Sequence, residues 1–170
     1  NIPGKSWFSV TEGPSKNPLK KALLRFVREK PWFHSPQRSI RESHIIDVIT
    51  QPGRNPSSIF VLLRIEYTQG EPDLYAIPIS HATGDKARYV RDDLPGQLIA
   101  HTLQGDTQGV MFDALADRDA CVALLDMIQK RRRQKGQKGT LAGRQMKKFK
   151  KLRGESQLEP DLYRTADHSN

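Results

Sequence analysis

The sequence predicts an α+β fold, an antiparallel sheet packed on an N-terminal helix and followed by a smaller strand-and-helix subdomain. Three observations predict it. Apolar residues recur at helical spacing over residues 18–28; the period then falls to two over residues 40–82, interrupted by turn-forming residues; helical spacing returns over residues 118–130. The chain has 170 residues, 36% hydrophobic, 7% aromatic and 28% charged, which excludes a collagen-like chain, a coiled coil and a wholly disordered one. No run approaches the ~18–20 apolar residues that span a bilayer.

The opening NIPGKSWFSVTEGPSK is polar and turn-rich and reads as a loose lead-in, residues 1–16. It lacks the charged-then-apolar pattern of a signal peptide. A helix follows, with Asn17 as cap, Pro18 at the first helical position, and Leu19, Ala22, Leu23, Phe26 and Val27 forming one face before Pro31 ends it. Ile40–Ile49 reads as a strand with Ile40, Ile46 and Val48 on one face. After QPGRNPSS, a second strand places Ile59, Val61, Leu63, Ile65 and Tyr67 on one face, and Phe60, Leu62, Arg64 and Glu66 on the other. Gly70-Glu71-Pro72 turns the chain into DLYAIPISHA, where Pro78 argues for an edge position or a bulge. These elements form a first unit over residues 17–90.

Residues 91–170 form the second unit. A polar stretch, Gly84–Pro95, leads to two short strands, QLIAHTL and QGVMFDA. A helix is expected over Arg118–Lys130 with Asp117 as cap and Cys121, Leu124, Leu125 and Ile128 facing the core. A further helix is expected over Arg144–Leu152.

The net charge of +9 is a local feature. Twelve Lys or Arg and no acid lie between Met127 and Gly154, and the rest of the chain holds 16 basic against 19 acidic residues. Such a run reads first as a solvated helix end and loop, its cations favoured at the C-terminal end of the preceding helix. The alternative is a nucleic-acid-binding module using residues 130–153, for which Phe149 is thin support as a stacking residue.

No catalytic constellation emerges. His34, His44, His81, His101 and His168 show no metal-ligand spacing. Cys121, the sole cysteine, excludes an internal disulfide, fits a reducing cytoplasmic setting and reads as a core residue rather than a nucleophile. Gly136, Gly139 and Gly143 do not form a P-loop. Asp92 and Asp93 read as loop carboxylates, and Glu66 and Glu71 as solubilising residues beside a turn.

Six segments in register resemble one family. LLRIEYTQGEPDLYAIPIS (Leu62–Ser80), PGQLIAHT (Pro95–Thr102) and GVMFDALADRDACVALLDMI (Gly109–Ile128) resemble the N-terminal region of maltokinases, which also occurs fused behind trehalose synthase barrels. KPWFHSPQRSI matches a family stretch through Trp32, Phe33, Arg38 and Ile40, with Pro36 where lysine is usual. GTLAGRQMKKFKKLRG (Gly139–Gly154) and the terminal ADHSN (Ala166–Asn170) resemble further family segments, His168 standing where glutamine is common.

The resemblance implies a cystatin-like cap, a curved sheet with a helix, followed by an intermediate subdomain that leads into a kinase N-lobe outside this chain. It implies a parent enzyme that uses ATP and Mg²⁺ to phosphorylate maltose to maltose 1-phosphate for α-glucan synthesis. Phosphoryl transfer needs a base or positioning Asp, Mg²⁺ ligands and a phosphate-gripping Lys. In the family these lie downstream of the position of Asn170. Within this chain only Ser169 and Asn170 match a nucleotide-proximal motif. The expectation is therefore a non-catalytic, cytoplasmic N-terminal module with no metal site and no membrane contact. Its partners would be the downstream kinase lobes of the same chain and a trehalose synthase domain or subunit, rather than nucleic acid.

Overall fold

The computed structural model describes residues 2–3, 11, 13–50, 58–149, 151 and 160. In chain order its elements are β1 (Ile2–Pro3), α1 (Lys16–Arg28), β2 (Ile40–Thr50), β3 (Ser58–Tyr67), β4 (Asp73–Thr83), α2 (Gly84–Asp93), β5 (Leu98–Gln104), β6 (Thr107–Asp113), α3 (Arg118–Gln129), β7 (Arg133–Lys135) and β8 (Thr140–Ala142). Six strands form one curled sheet in the order β1-β5-β6-β4-β3-β2, antiparallel except for the β1–β5 pair. β7 and β8 form a separate hairpin. The sheet runs on through β5 and β6, so residue 90 lies in a helix between strands of the same sheet.

α1 forms because its apolar stripe has somewhere to go. Leu19, Leu23, Phe26 and Val27 are buried in one cluster with Val61, Leu63 and Ile65 of β3, Ile77 and Ile79 of β4, and Met111 of β6. Burying four large side chains of this kind contributes ~6–12 kcal/mol before conformational entropy is counted. The helix starts two residues earlier than the sequence predicts, with Ser15 at the N-cap, so Pro18 sits third. That position is still in the first turn, where a missing N–H costs no helical hydrogen bond. Arg25 Nη2 donates to Ile99 O at 3.2 Å, and Lys30 Nζ donates to Gly96 O, tying the helix and its exit to the start of β5.

β3 follows its period-two pattern: Ile59, Val61, Leu63, Ile65 and Tyr67 are all buried. β2 does not follow the predicted one. Its inward residues are Ser43, Ile45 and Val48, opposite Ile65, Leu63 and Val61. A bulge at Ile46, between the Ile45–Leu63 and Asp47–Leu62 pairs, inserts one residue and reverses the alternation beyond it. Ile46 is left half-buried, and Asp47 and Ile49 turn to the opposite face. Pro78 pairs with Phe60 on one side, while the ladder to β6 begins only at Ile79. It thus lies in the stretch of β4 with a single neighbour, where its missing N–H is tolerated.

Two predicted features of the second unit are corrected. The polar stretch after Gly84 is a helix, α2, which buries Ala87 and Val90 against Ala82, Val110 and Phe112. In β6, Val110 and Phe112 serve this second cluster while Met111, between them, joins the α1 cluster, as strand alternation requires. Asp92 and Asp93 are exposed in the last turn of α2 rather than in a loop. In α3 the buried residues are Ala120 and Met127, and Cys121, Leu124, Leu125 and Ile128 are only half-buried. Asp117 caps that helix as expected, accepting from Asp119 N at 3.3 Å, and also holds Lys86 Nζ at 2.9 Å. Among the described residues no helix is long and apolar enough to cross a membrane.

Candidate functional site

The stretch that follows α1 is held by polar contacts to the β3–β4 turn. Arg38 lies over the Tyr67 ring at 3.7 Å, and its Nη2 donates to the carbonyls of Gln69 and Glu71, each at 2.7 Å. Gly70 between those carbonyls has φ +81°, and a Cβ there would lie 2.8 Å from Arg38 Nη2. Beneath this cap the Asp73 carboxylate accepts from Tyr67 Oη at 2.6 Å, Ser35 Oγ at 3.0 Å and Tyr75 Oη at 3.2 Å. The Tyr67 bond, with the Ser35 and Tyr75 bonds, holds Asp73 below the ordinary aspartate range against the pull of burial. Phe33 is buried against Tyr75, and Trp32, 43% exposed, packs on the same ring. The Trp-Phe…Arg pattern is therefore a device for fastening a turn.

The basic segment is not the solvated helix end and loop that its composition predicts. It contains the β7–β8 hairpin, with Arg133 opposite Ala142 and Lys135 opposite Thr140. The tip of the hairpin sits on Asp47, which the β2 bulge has turned out of the main core. Asp47, 4% exposed, accepts from Gly139 N at 2.6 Å, Lys138 N at 3.0 Å and its own neighbour Val48 N at 2.8 Å. Gln137 N donates to Val48 O at 3.2 Å. Burial alone would raise the Asp47 carboxyl, but backbone N–H groups of Lys138, Gly139, Val48 and Gln137 outweigh it and keep it below the ordinary range. Successive N–H groups closing round one carboxylate make an anion nest, here filled by the protein's own side chain.

Close approach explains two glycines. A Cβ on Gly136 would meet Ile49 Cγ1 at 2.5 Å, and one on Gly143 would meet Met127 O at 2.2 Å. Gly143 N also donates to Arg132 O at 2.9 Å, closing the base of the hairpin against the end of α3. The glycines tested for a phosphate loop thus fix a strap between α3 and β2. Arg133, Lys135, Lys138, Arg144, Lys147 and Lys148 are exposed on it, and none of them has an acidic partner among the described residues. Asp126 is engaged by Lys130 at 2.5 Å and by Arg132 at 3.4 Å.

The other candidate residues do not converge. His34 stacks on Tyr75, His44 lies 3.4 Å from Glu42, His101 is exposed, and His81 Nε2 meets Thr102 Oγ1 at 2.9 Å above Gly109. Burial pushes the His81 imidazole down. Glu66 is bridged by Arg41, whose hydrogen bond holds its carboxyl low, and by Arg64 at 3.5 Å; Glu71 contributes its carbonyl to Arg38. Cys121 directs its thiol to Leu115 O at 3.4 Å, and burial, with Asp117 and Asp113 nearby, pushes that thiol up. Among the described residues no group of three or more His, Cys, Asp or Glu could hold a metal ion. His168, Ser169 and Asn170 lie outside the described residues; of the helix expected over Arg144–Leu152, Arg144–Met146 carry no helix, Lys147 and Lys148 form a turn, Phe149 and Lys151 are helical, and residues 150 and 152 lie outside the described residues. Asp47 and Asp73 are the site residues that sequence reasoning missed. The available signal was a carboxylate inside the apolar run Ile45–Ile49, where an unpaired charge would be costly.

A search of curated proteins finds no match for the chain. The family model described as maltokinase N-terminal cap domain matches residues 26–117, from the second half of α1 to the cap of α3. That span holds the bulged β2, the Arg38-capped turn, the Asp73 cluster and both faces of the β4–β6 sheet, and it runs unbroken across residue 90. With more than half of its length matched and an α+β fold to go with it, the chain belongs to the maltokinase N-terminal cap domain family.

Proposed function

We propose that this chain is a non-catalytic packing and orienting module of a maltokinase, whose parent enzyme transfers phosphate from ATP, with Mg²⁺, to maltose. The observation that carries the reading is how the buried Asp47 and Asp117 and the half-buried Asp73 are used. Asp47 is taken up by hairpin amides, Asp73 by Tyr67, Tyr75 and Ser35, and Asp117 by Lys86 and the α3 cap. A magnesium-dependent phosphotransferase needs carboxylates free to meet the metal, whereas these serve the fold. On this reading ATP and Mg²⁺ bind the downstream kinase lobes, which are also the module's principal partner. A trehalose synthase domain or subunit is a second partner in α-glucan metabolism, and the cytoplasm is the working compartment.

Calorimetry with ATP and Mg²⁺, followed by a coupled assay for ADP with maltose present, tests the proposal. The expected result is no saturable heat and no maltose-dependent ADP. Saturable ATP binding at micromolar affinity would overturn it.

A further inference from the structure

The strap described above carries more charge than its folding role needs. Asp47 and the glycines hold it through backbone groups, so its cationic side chains are left for another purpose. Arg144, Lys147 and Lys148 line an open groove of about 640 Å³ together with Ile128, Met146 and Phe149. Met146 is 82% exposed, and a methionine left bare beside lysines is an adaptable apolar contact. An apolar centre inside a charged rim is the anatomy of a protein-binding patch. A nucleic acid would use the cations, but among the described residues of the strap only the half-buried Phe149 offers its bases a ring to stack on. The rim is of one sign, so its complement is acidic.

We infer that this groove binds an acidic protein segment that seats an aliphatic side chain between Met146, Ile128 and Phe149 while its carboxylates meet Arg144, Lys147 and Lys148. The inference goes beyond the cap reading and does not depend on it. Gln145 Nε2 donates to Gln129 O at 2.6 Å, tying the stretch that carries Arg144 to the end of α3 before the partner arrives, which lowers the ordering cost of binding.

The test is fluorescence anisotropy on the whole chain with three probes: a labelled glutamate-rich peptide with leucines at helical spacing, the same peptide with serine for each leucine, and single-stranded oligothymidylate. At ~150 mM salt, where exposed charge pairs are largely screened, the leucine peptide should bind at least about tenfold tighter than the serine peptide. Met146→Ser, at a surface position that leaves the fold intact, should remove most of that difference and leave the serine peptide's weak binding unchanged. Lys147→Glu with Lys148→Glu should weaken both peptides. Equal affinity for the two peptides, or binding of neither, would overturn the inference. So would tighter binding of oligothymidylate that is indifferent to Met146→Ser and falls by about 0.7 log units per contact for each tenfold rise in salt, which would make the strap a general polyanion surface.

Discussion

Asp47 shows how one side chain can be set by a bulge at the residue before it. Its position in an alternating strand would place it on the core face, yet the bulge at Ile46 turns it outward, where hairpin amides meet it. Asp47→Ala leaves the Lys138 and Gly139 amides without their acceptor and should cost ~1–3 kcal/mol. Hydrogen exchange should show protection lost at those two amides while β3 and β4 keep theirs; unchanged protection would mean the hairpin is held by something else. The pH dependence follows from the same geometry. Asp47 and Asp73 both titrate below their unfolded value of about 3.9, so their contribution is full above that pH and disappears as pH falls through the folded values. Denaturant midpoints should therefore drop in acid below about pH 4, and Asp47→Asn should flatten that fall. At the other end of the strap, Gly143→Ala drives a methyl into the Met127 carbonyl and should destabilise by ~1–3 kcal/mol, read from the same titrations.

Among the elements, α1 and β3 carry the core between them. Leu63 is fully buried in the shared cluster, so Leu63→Ala should cost about 2–5 kcal/mol in a denaturant titration, and a loss below half of one kcal/mol would remove it from the core. These two elements were legible because each buries one face more deeply than the other, which leaves a period in the sequence. α2 was not legible: only Ala87 and Val90 in ten residues are buried, and Asp85, Asp92 and Asp93 make the rest read as a loop. The hairpin was hidden for a different reason. Its strands are three residues long and mostly exposed, so they have no apolar period, and what holds them is hydrogen bonding to a residue about ninety positions away in sequence.

For the whole molecule, the cap reading predicts that removing these elements from a parent kinase changes how its lobes are held, without removing a reacting group. Supplying this chain with ATP, Mg²⁺ and maltose should yield no product, by the assay given above. The sequence by itself determined the α+β class, the α1–β3 core, the β3–β4 hairpin and the membership of the family, since each depends on patterns contained within a few residues or on short motifs in register. Tertiary structure alone decided which face of β2 meets the core, what Asp47 and Asp73 bind, and that the basic segment is a fastened strap with a groove beside it. Those outcomes turn on a one-residue bulge and on contacts between distant parts of the chain, and local period carries no record of either.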